Sequence, residues 1–246
     1  MKMLTSVLTP DGNFFVGGTF ESRVWSGEKF VYVQNVAVYN PRKNAWLPLQ
    51  EDKGGGLGCN WSETRVMSLA WNDRDEVLYI GGKFNLVDSE YIQPGLAIWS
   101  NKTGIAPFPG GGVSFNTPWW GDSSWVYDGV VTSLTYHDGT RSLYVAGTFE
   151  RVNGEAPCKS IAVWRVDEGS WACLHEPRHG FSLVTSLLYT GETLYVAGVP
   201  DESSSWSETW RDGYDLGDDR NTINNSSSSS SSNNNAVTRR STPSRE

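Results

Sequence analysis

Clustered basic charge is missing from this sequence. Lys and Arg number 20 against 28 Asp and Glu, a net charge of −8. Binding nucleic acid through its phosphates needs clustered Lys and Arg, so no nucleic-acid partner is expected. Long apolar runs are missing too. None approaches the roughly 18 residues of a membrane span, so no membrane span is expected. The start, Met1 to Leu8, has one basic residue and breaks at Pro10-Asp11-Gly12. It is too short for a secretory h-region, so either the protein is not secreted or the chain lacks its true beginning. Cysteine is scarce: Cys59, Cys158 and Cys173 form neither a disulfide framework nor a paired CxxC zinc pattern. An odd number leaves at least one thiol unpaired within the chain, and the redox compartment stays open. Histidine is equally sparse. His137, His175 and His179 read as solvent-exposed loop residues, and the Cys173-x-His175-x3-His179 spacing matches no common zinc site. There is no Gly-x-Ser-x-Gly elbow, HExxH or P-loop. The acidic run Asp212–Asp219 lacks the alternation and final Glu of an EF-hand loop. No catalytic residue, metal site or cofactor is therefore expected. Hydrophobic content is 38%, low for a globular chain, and the deficit is concentrated in the last part of the chain.

What is present is a repeat. Leu143-Tyr144-Val145-Ala146-Gly147-Thr148-Phe149 has counterparts in Phe14–Phe20, in Leu78–Phe84 and, without its ending, in Leu194–Gly198. The second glycines, Gly18, Gly82, Gly147 and Gly198, are 64, 65 and 51 residues apart. A period of this length decides architecture before any other feature. Each copy follows a Val-x-Ser-Leu-type segment: Leu4–Leu8, Val66–Trp71, Val131–Tyr136 and Val184–Tyr189. Turn-formers such as Pro10-Asp11-Gly12-Asn13 and His137-Asp138-Gly139 separate the two, as in hairpins. A third segment follows at Val36–Tyr39, Leu96–Trp99 and Ile161–Trp164. A fourth begins at Trp46, Ala106 and Trp171.

Each repeat thus reads as four short strands, a to d, forming a four-stranded antiparallel blade. A blade has two apolar faces and must stack on neighbours around an axis. Strand b alternates Leu143, Val145, Gly147 and Phe149 with Tyr144, Ala146 and Thr148, apolar or small on both sides. A glycine recurring at one place in a strand marks close packing. The expected fold is all-β: a partial β-propeller over 1–200, with blades at about 3–65, 66–130 and 131–183 and a partial fourth at 184–200. Open blade faces at the ends invite self-association. An incomplete ring is expected to be a fragment, a truncated gene model or a partner in a composite ring. Residues 201–246, with seven serines from Ser226 to Ser232 flanked by asparagines, read as a low-complexity disordered tail.

The glycine pair, the later aromatic and the Trp that follows it resemble the kelch motif of kelch and galactose-oxidase-like propellers. Gly17-Gly18, Tyr39 and Trp46 match it fully. The second repeat has Ala106 in place of the final Trp, and the third has Ala146-Gly147, Trp164 and Trp171. With the Val-x-Ser-Leu and Ile-Ala-x-Trp segments, the repeats look most like those in the ectodomains of fungal bud-site-selection cortical marker proteins. That resemblance implies a cell-surface or extracellular protein of cell polarity or morphogenesis. A cytoplasmic kelch adaptor is the alternative, since no signal peptide is visible. A galactose-oxidase-like or glycosidase-like enzyme fragment is the other.

The loops carry the functional expectation. The b–c connections (Glu21–Asn35, Asn85–Gly95, Glu150–Ser160) and the d–a crossings share one face and are long, whereas the opposite turns are short. The crossings contain a Gly-apolar step at Leu57, Val113 and Phe181, followed by insertions of 8, 17 and 2 residues. The longest insertion holds Trp119, Trp120, Trp125 and Tyr127, and the first holds Trp61. Exposed Trp and Tyr are frequent interface anchors, so a protein or glycan ligand is expected on this long-loop face. Asn60 and Asn101 head N-glycosylation sequons that matter only in the secretory pathway.

Overall fold

The computed structural model describes residues 2–49, 56–59, 62–87, 90–91, 94–115, 127–174, 181–190, 193–200, 221–224 and 237–243. Every regular element among them is a strand. No helix among the described residues is long and apolar enough to cross a membrane.

The first sheet joins β1 (Lys2–Leu8), β2 (Phe14–Trp25), β3 (Phe30–Asn40) and β4 (Ala45–Leu47) in sequence order. The crossing strand β5 (Leu57–Gly58) leads to the second blade. That blade takes β6 (Arg65–Asn72) and β7 (Val77–Lys83), then passes through the short β8 (Leu86–Val87) and β9 (Glu90–Tyr91) to β10 (Leu96–Ser100) and β11 (Gly104–Pro107). Crossing strands β12 (Val113–Phe115) and β13 (Tyr127–Asp128) precede the third blade: β14 (Val130–His137), β15 (Ser142–Thr148), β18 (Ile161–Arg165) and β19 (Ser170–Cys173). Its b–c connection holds β16 (Arg151–Val152) and β17 (Ala156–Pro157). The fourth sheet pairs β20 (Phe181–Tyr189) with β21 (Leu194–Pro200). Two stretches of the tail, β22 (Asn221–Asn224) and β23 (Val237–Pro243), extend it in the order β20-β21-β23-β22. The rest of 201–246 lies outside the described residues. Successive sheets are antiparallel and face one another through their inner strands. The chain is a partial β-propeller.

The repeat glycine has a mechanical cause. In each blade strand a is irregular opposite it, with a register shift at Met3/Thr5, Val66/Ser68, Val131/Ser133 and Val184/Ser186. Such a bulge bends its strand and here brings a backbone carbonyl against strand b. A Cβ on Gly18, Gly82, Gly147 or Gly198 would sit 2.0, 2.0, 1.9 or 2.2 Å from the carbonyl oxygen of Lys2, Arg65, Val130 or Leu183. The preceding residue faces a side chain instead. A Cβ on Gly17 or Gly81 would meet Val66 or Val131 of the next blade, and in the third blade Ala146 fills that place, fully buried.

Three core clusters lie between successive blades. Each contains an aromatic pair across the junction: Phe15 with Trp71 at 5.9 Å, Tyr79 with Tyr136 at 5.7 Å, and Tyr144 with Tyr189 at 5.1 Å. The recurring serine joins the inner strands. The Leu134 amide donates to Ser68 Oγ at 2.8 Å, and the Leu187 amide donates to Ser133 Oγ at 2.9 Å. Both hydroxyls are buried, where an unmet amide would cost about 1–3 kcal/mol. The first repeat differs from its sequence alignment by one residue. Thr5, rather than Ser6, stands opposite Gly17 in the place Ser68, Ser133 and Ser186 occupy.

Candidate functional site

At the entries to blades 2 and 3 the long-loop face is built by pairing the crossing with the b–c connection of the blade it enters. β5 lies against β8 with Leu57 opposite Val87, and β12 lies against β16 with Val113 opposite Val152. The apolar residues of the crossings, Leu57, Val113 and Phe181, are completely buried, and Phe84 and Phe149 from the glycine strands are nearly so. A left-handed residue ahead of strand c locks each corner. Asn35, Gly95 and Ser160 have φ of 60°, 85° and 63°. Asn35 accepts from the Phe20 amide at 3.1 Å and donates through Nδ2 to the Leu57 carbonyl at 3.1 Å. Ser160 Oγ donates to the Phe181 carbonyl at 2.8 Å. Gly95 has no side chain, and there the Val113 amide donates to the neighbouring Pro94 carbonyl at 2.8 Å. The sequence signal for this corner is a small or amide residue just before an apolar strand, and sequence reasoning passed it over.

Blade 1 departs from the expected long loop over Glu21–Asn35. Its strands continue past the blade as a hairpin, in register from Glu21 opposite Gln34 to Trp25 opposite Phe30. Alternating β-branched and aromatic residues favour strand, and Gly27 supplies the positive φ (94°) at the tip. Val24 and Val33 turn inward onto Phe20 and Ala37. The other face is exposed and carries Glu21, Arg23, Trp25, Phe30 and Tyr32. Trp25 is 50% and Phe30 68% exposed, their rings 5.3 Å apart and edge-on. Tyr32 donates its hydroxyl to Glu21.

No protein-family model and no curated protein sequence matches the chain. Among solved structures it is similar to the RRP9 WD40 repeats, with 15% identity and a TM-score of 0.43 over 80% of this chain and 45% of that one. It is similar to U3-55K, with 15% identity and a TM-score of 0.42 over 80% of this chain and 46% of that one. A third is the extracellular domain of a one-component system from B. thetaiotaomicron, with 14% identity and a TM-score of 0.44 over 80% of this chain and 20% of that one. The chain spans a little under half the length of the first two and a fifth of the third.

Of the residues named from sequence, Trp61, Trp119, Trp120, Trp125, Asn60, His175, His179 and the run Asp212–Asp219 lie outside the described residues. Tyr127 is placed by its backbone in β13, opposite Phe115. Its neighbour Asp128 accepts from Asn85 Nδ2 at 2.6 Å, joining the second b–c connection to the next crossing. Burial pushes the Asp128 carboxyl up, partly offset by that hydrogen bond and by Lys83. Asn101 is exposed in the turn between β10 and β11, on the opposite face. Cys158 and Cys173 form a disulfide with Cα atoms 5.4 Å apart, tying the third b–c connection to strand d, and Cys59 is a free thiol.

The short-turn face has its own features. His137, expected as an exposed loop residue, is half-buried with its ring 4.4 Å from Tyr189 of the next blade. Burial lowers its pKa, and Asp138 opposes the shift. Arg141 spans two blades, with ion pairs to Asp75 at 2.8 Å and Asp167 at 2.9 Å. Burial would raise the Asp75 carboxyl, but hydrogen bonds from Arg141 and Asn72 outweigh it and hold its pKa below the usual range. A cavity of about 460 Å³ opens between blades 1 and 2, floored by Phe15 and Trp99 and rimmed by Asn13, Asn40, Lys43 and Asn101. Among the described residues, no group of three or more His, Cys, Asp or Glu is placed to hold a metal.

Proposed function

We propose that the chain is a non-enzymatic, protein-binding propeller scaffold whose long-loop face engages a partner, with the β2–β3 hairpin as its anchor. The supporting observation is the exposed face of Trp25, Phe30, Tyr32 and Arg23 on a hairpin rooted in the blade 1 core. Trp, Tyr and Arg are the residue types that dominate interface energies. A rooted hairpin also loses little freedom on binding. The described crossing strands β5 and β12 are held in small sheets with the b–c connections of blades 2 and 3.

The kelch-type and bud-site-marker reading belongs to the same proposal. Its support is the Gly-Gly, Tyr39, Trp46 spacing, and it places the chain at the cell surface. The Cys158–Cys173 disulfide supports that placement, because disulfides persist in oxidising compartments. The exposed Asn101 sequon fits it as well. A glycan ligand is the second reading, supported by the amide-bearing rim of the cavity between blades 1 and 2.

Photo-crosslinking in the producing cells tests the hairpin. A photo-reactive phenylalanine analogue at position 30 is expected to capture a protein adduct that Trp25→Ala abolishes. The same analogue at Lys102, exposed on the opposite face, is expected to capture none. Identical adducts from both positions, or none from position 30, would remove the hairpin from the proposal.

A further inference from the structure

The cavity between blades 1 and 2 is framed by three turns of the short-turn face, 9–13 and 40–44 of blade 1 and 100–104 of blade 2. Its volume of about 460 Å³ lies in the range of small-ligand sites. Asn13, Asn40 and Asn101 bring three side-chain amides to it. Hydrogen bonds already made fix what two of them offer. Asn40 Oδ1 accepts from the Lys43 amide at 3.0 Å, leaving Nδ2 to donate. Asn13 Nδ2 donates to Asp11 at 2.6 Å, leaving Oδ1 to accept.

Charge sets this rim apart from the rest of the chain. Among the described residues no carboxylate lines the cavity, and its one cation is Lys43. The three turns hold Arg42, Lys43 and Lys102 against Asp11 alone, in a chain of net charge −8. The Asp11 carboxylate is engaged by Thr9 Oγ1 and by Asn13 Nδ2. Lys43 makes no ion pair among the described residues. Leu47 and Pro48, both half-buried, supply an apolar wall.

We infer that this cavity binds a carboxylated sugar, a hexuronate of an acidic glycan. The inference rests on the reading of the cavity as a glycan site and adds the charge that it selects. The Lys43 ammonium takes the carboxylate, in a charge-assisted bond stronger than any a neutral sugar can make there. The Asn40 donor, the Asn13 acceptor and the Asn101 amide from the other blade take ring hydroxyls, each of which both donates and accepts. Leu47 and Pro48 meet the C–H face of the ring. A neutral sugar would leave the Lys43 charge unmatched, and a bare carboxylate would leave the amides unused.

Titration of the full chain with glucuronate, glucose and acetate tests this. Production in a bacterial periplasm gives the chain with Asn101 unmodified and the Cys158–Cys173 disulfide formed. Nuclear magnetic resonance follows the indole N–H of Trp99, which lines the cavity. Glucuronate is expected to shift this signal to saturation, and glucose and acetate each to bind about tenfold or more weakly, the size of one hydrogen bond to a charged group. Lys43→Gln is expected to bring glucuronate down to the affinity of glucose and to leave glucose unchanged. Asn101→Ala, on the other blade, is expected to weaken both sugars. Both are exposed turn residues, so neither substitution should move the thermal melt. Equal affinity for glucose and glucuronate would overturn the carboxylate and leave the glycan reading standing. No response to either sugar would remove both. Acetate as tight as glucuronate, or glucuronate binding indifferent to either substitution, would overturn the hexuronate site.

Discussion

Gly147→Ala is expected to lower stability by about 3 kcal/mol or more, at the upper end of what overpacking costs. The added methyl would sit 1.9 Å from the Val130 carbonyl oxygen. The obstacle is backbone held by a bulge and by the ladder on either side, so no rotamer change relieves it. For a domain of this size the loss corresponds to a melting shift of roughly 6–12 °C. Gly169→Ala separates this effect from backbone conformation. Gly169 has φ of +62° with nothing within 4 Å of a new Cβ, so only the left-handed cost of about 1–2 kcal/mol applies. Thermal melts of the two variants side by side measure the difference. Equal shifts would mean that the carbonyl contact is not what requires glycine.

Trp99→Ala is expected to cost about 3–5 kcal/mol, the range for removing a buried Trp. Trp99 wedges between blades 1 and 2. Its ring lies 5.1 Å from Phe15, and its Nε1–H donates to the Leu49 carbonyl at 2.6 Å. Trp99→Phe keeps most of the ring and loses the donor, so about 1–3 kcal/mol is expected from the unmet carbonyl. Chemical denaturation of both variants gives the two values. A loss under about 1 kcal/mol for Trp99→Ala would contradict the wedge, since burial of this size cannot vanish without compensation.

Much of the architecture was legible because it repeats. Four copies of one strand, each following a Val-x-Ser-Leu-type segment, disclose antiparallel sheets from the sequence alone. The reasons behind the repeated residues were harder to read. The glycine showed that something comes close, but only the bulge shows that it is a carbonyl. The serine recurred without revealing that it accepts an amide from the following blade, because that contact joins residues 66 positions apart in one case and 54 in the other. The slip in β1 was invisible because Thr5 and Ser6 are both small hydroxyl residues and the a–b turn of that blade is shorter.

The candidate surface was legible in its location more than in its residues. Loop length pointed to the b–c and crossing side, yet the blade 1 connection is two strands. Ser26-Gly27-Glu28-Lys29 reads as the middle of a loop, and the pairing of Trp25 with Phe30 across it depends on strands already aligned by the blade. The two-residue strands at Leu57 and Val87 are too short for any periodicity to reveal. The disulfide was equally hidden, since three cysteines permit several pairings and only folding brings Cys158 beside Cys173.

Hydrogen exchange of individual backbone amides, read by nuclear magnetic resonance, tests the blade stack most directly. The Leu134 and Leu187 amides should be among the slowest in the protein, because each is held by a serine of the preceding blade. Ser68→Ala should accelerate Leu134, and Ser133→Ala should accelerate Leu187, each leaving the other slow. Fast exchange at both amides in the wild type, with protection confined to pairs within single hairpins, would contradict a stack of blades joined through their inner strands.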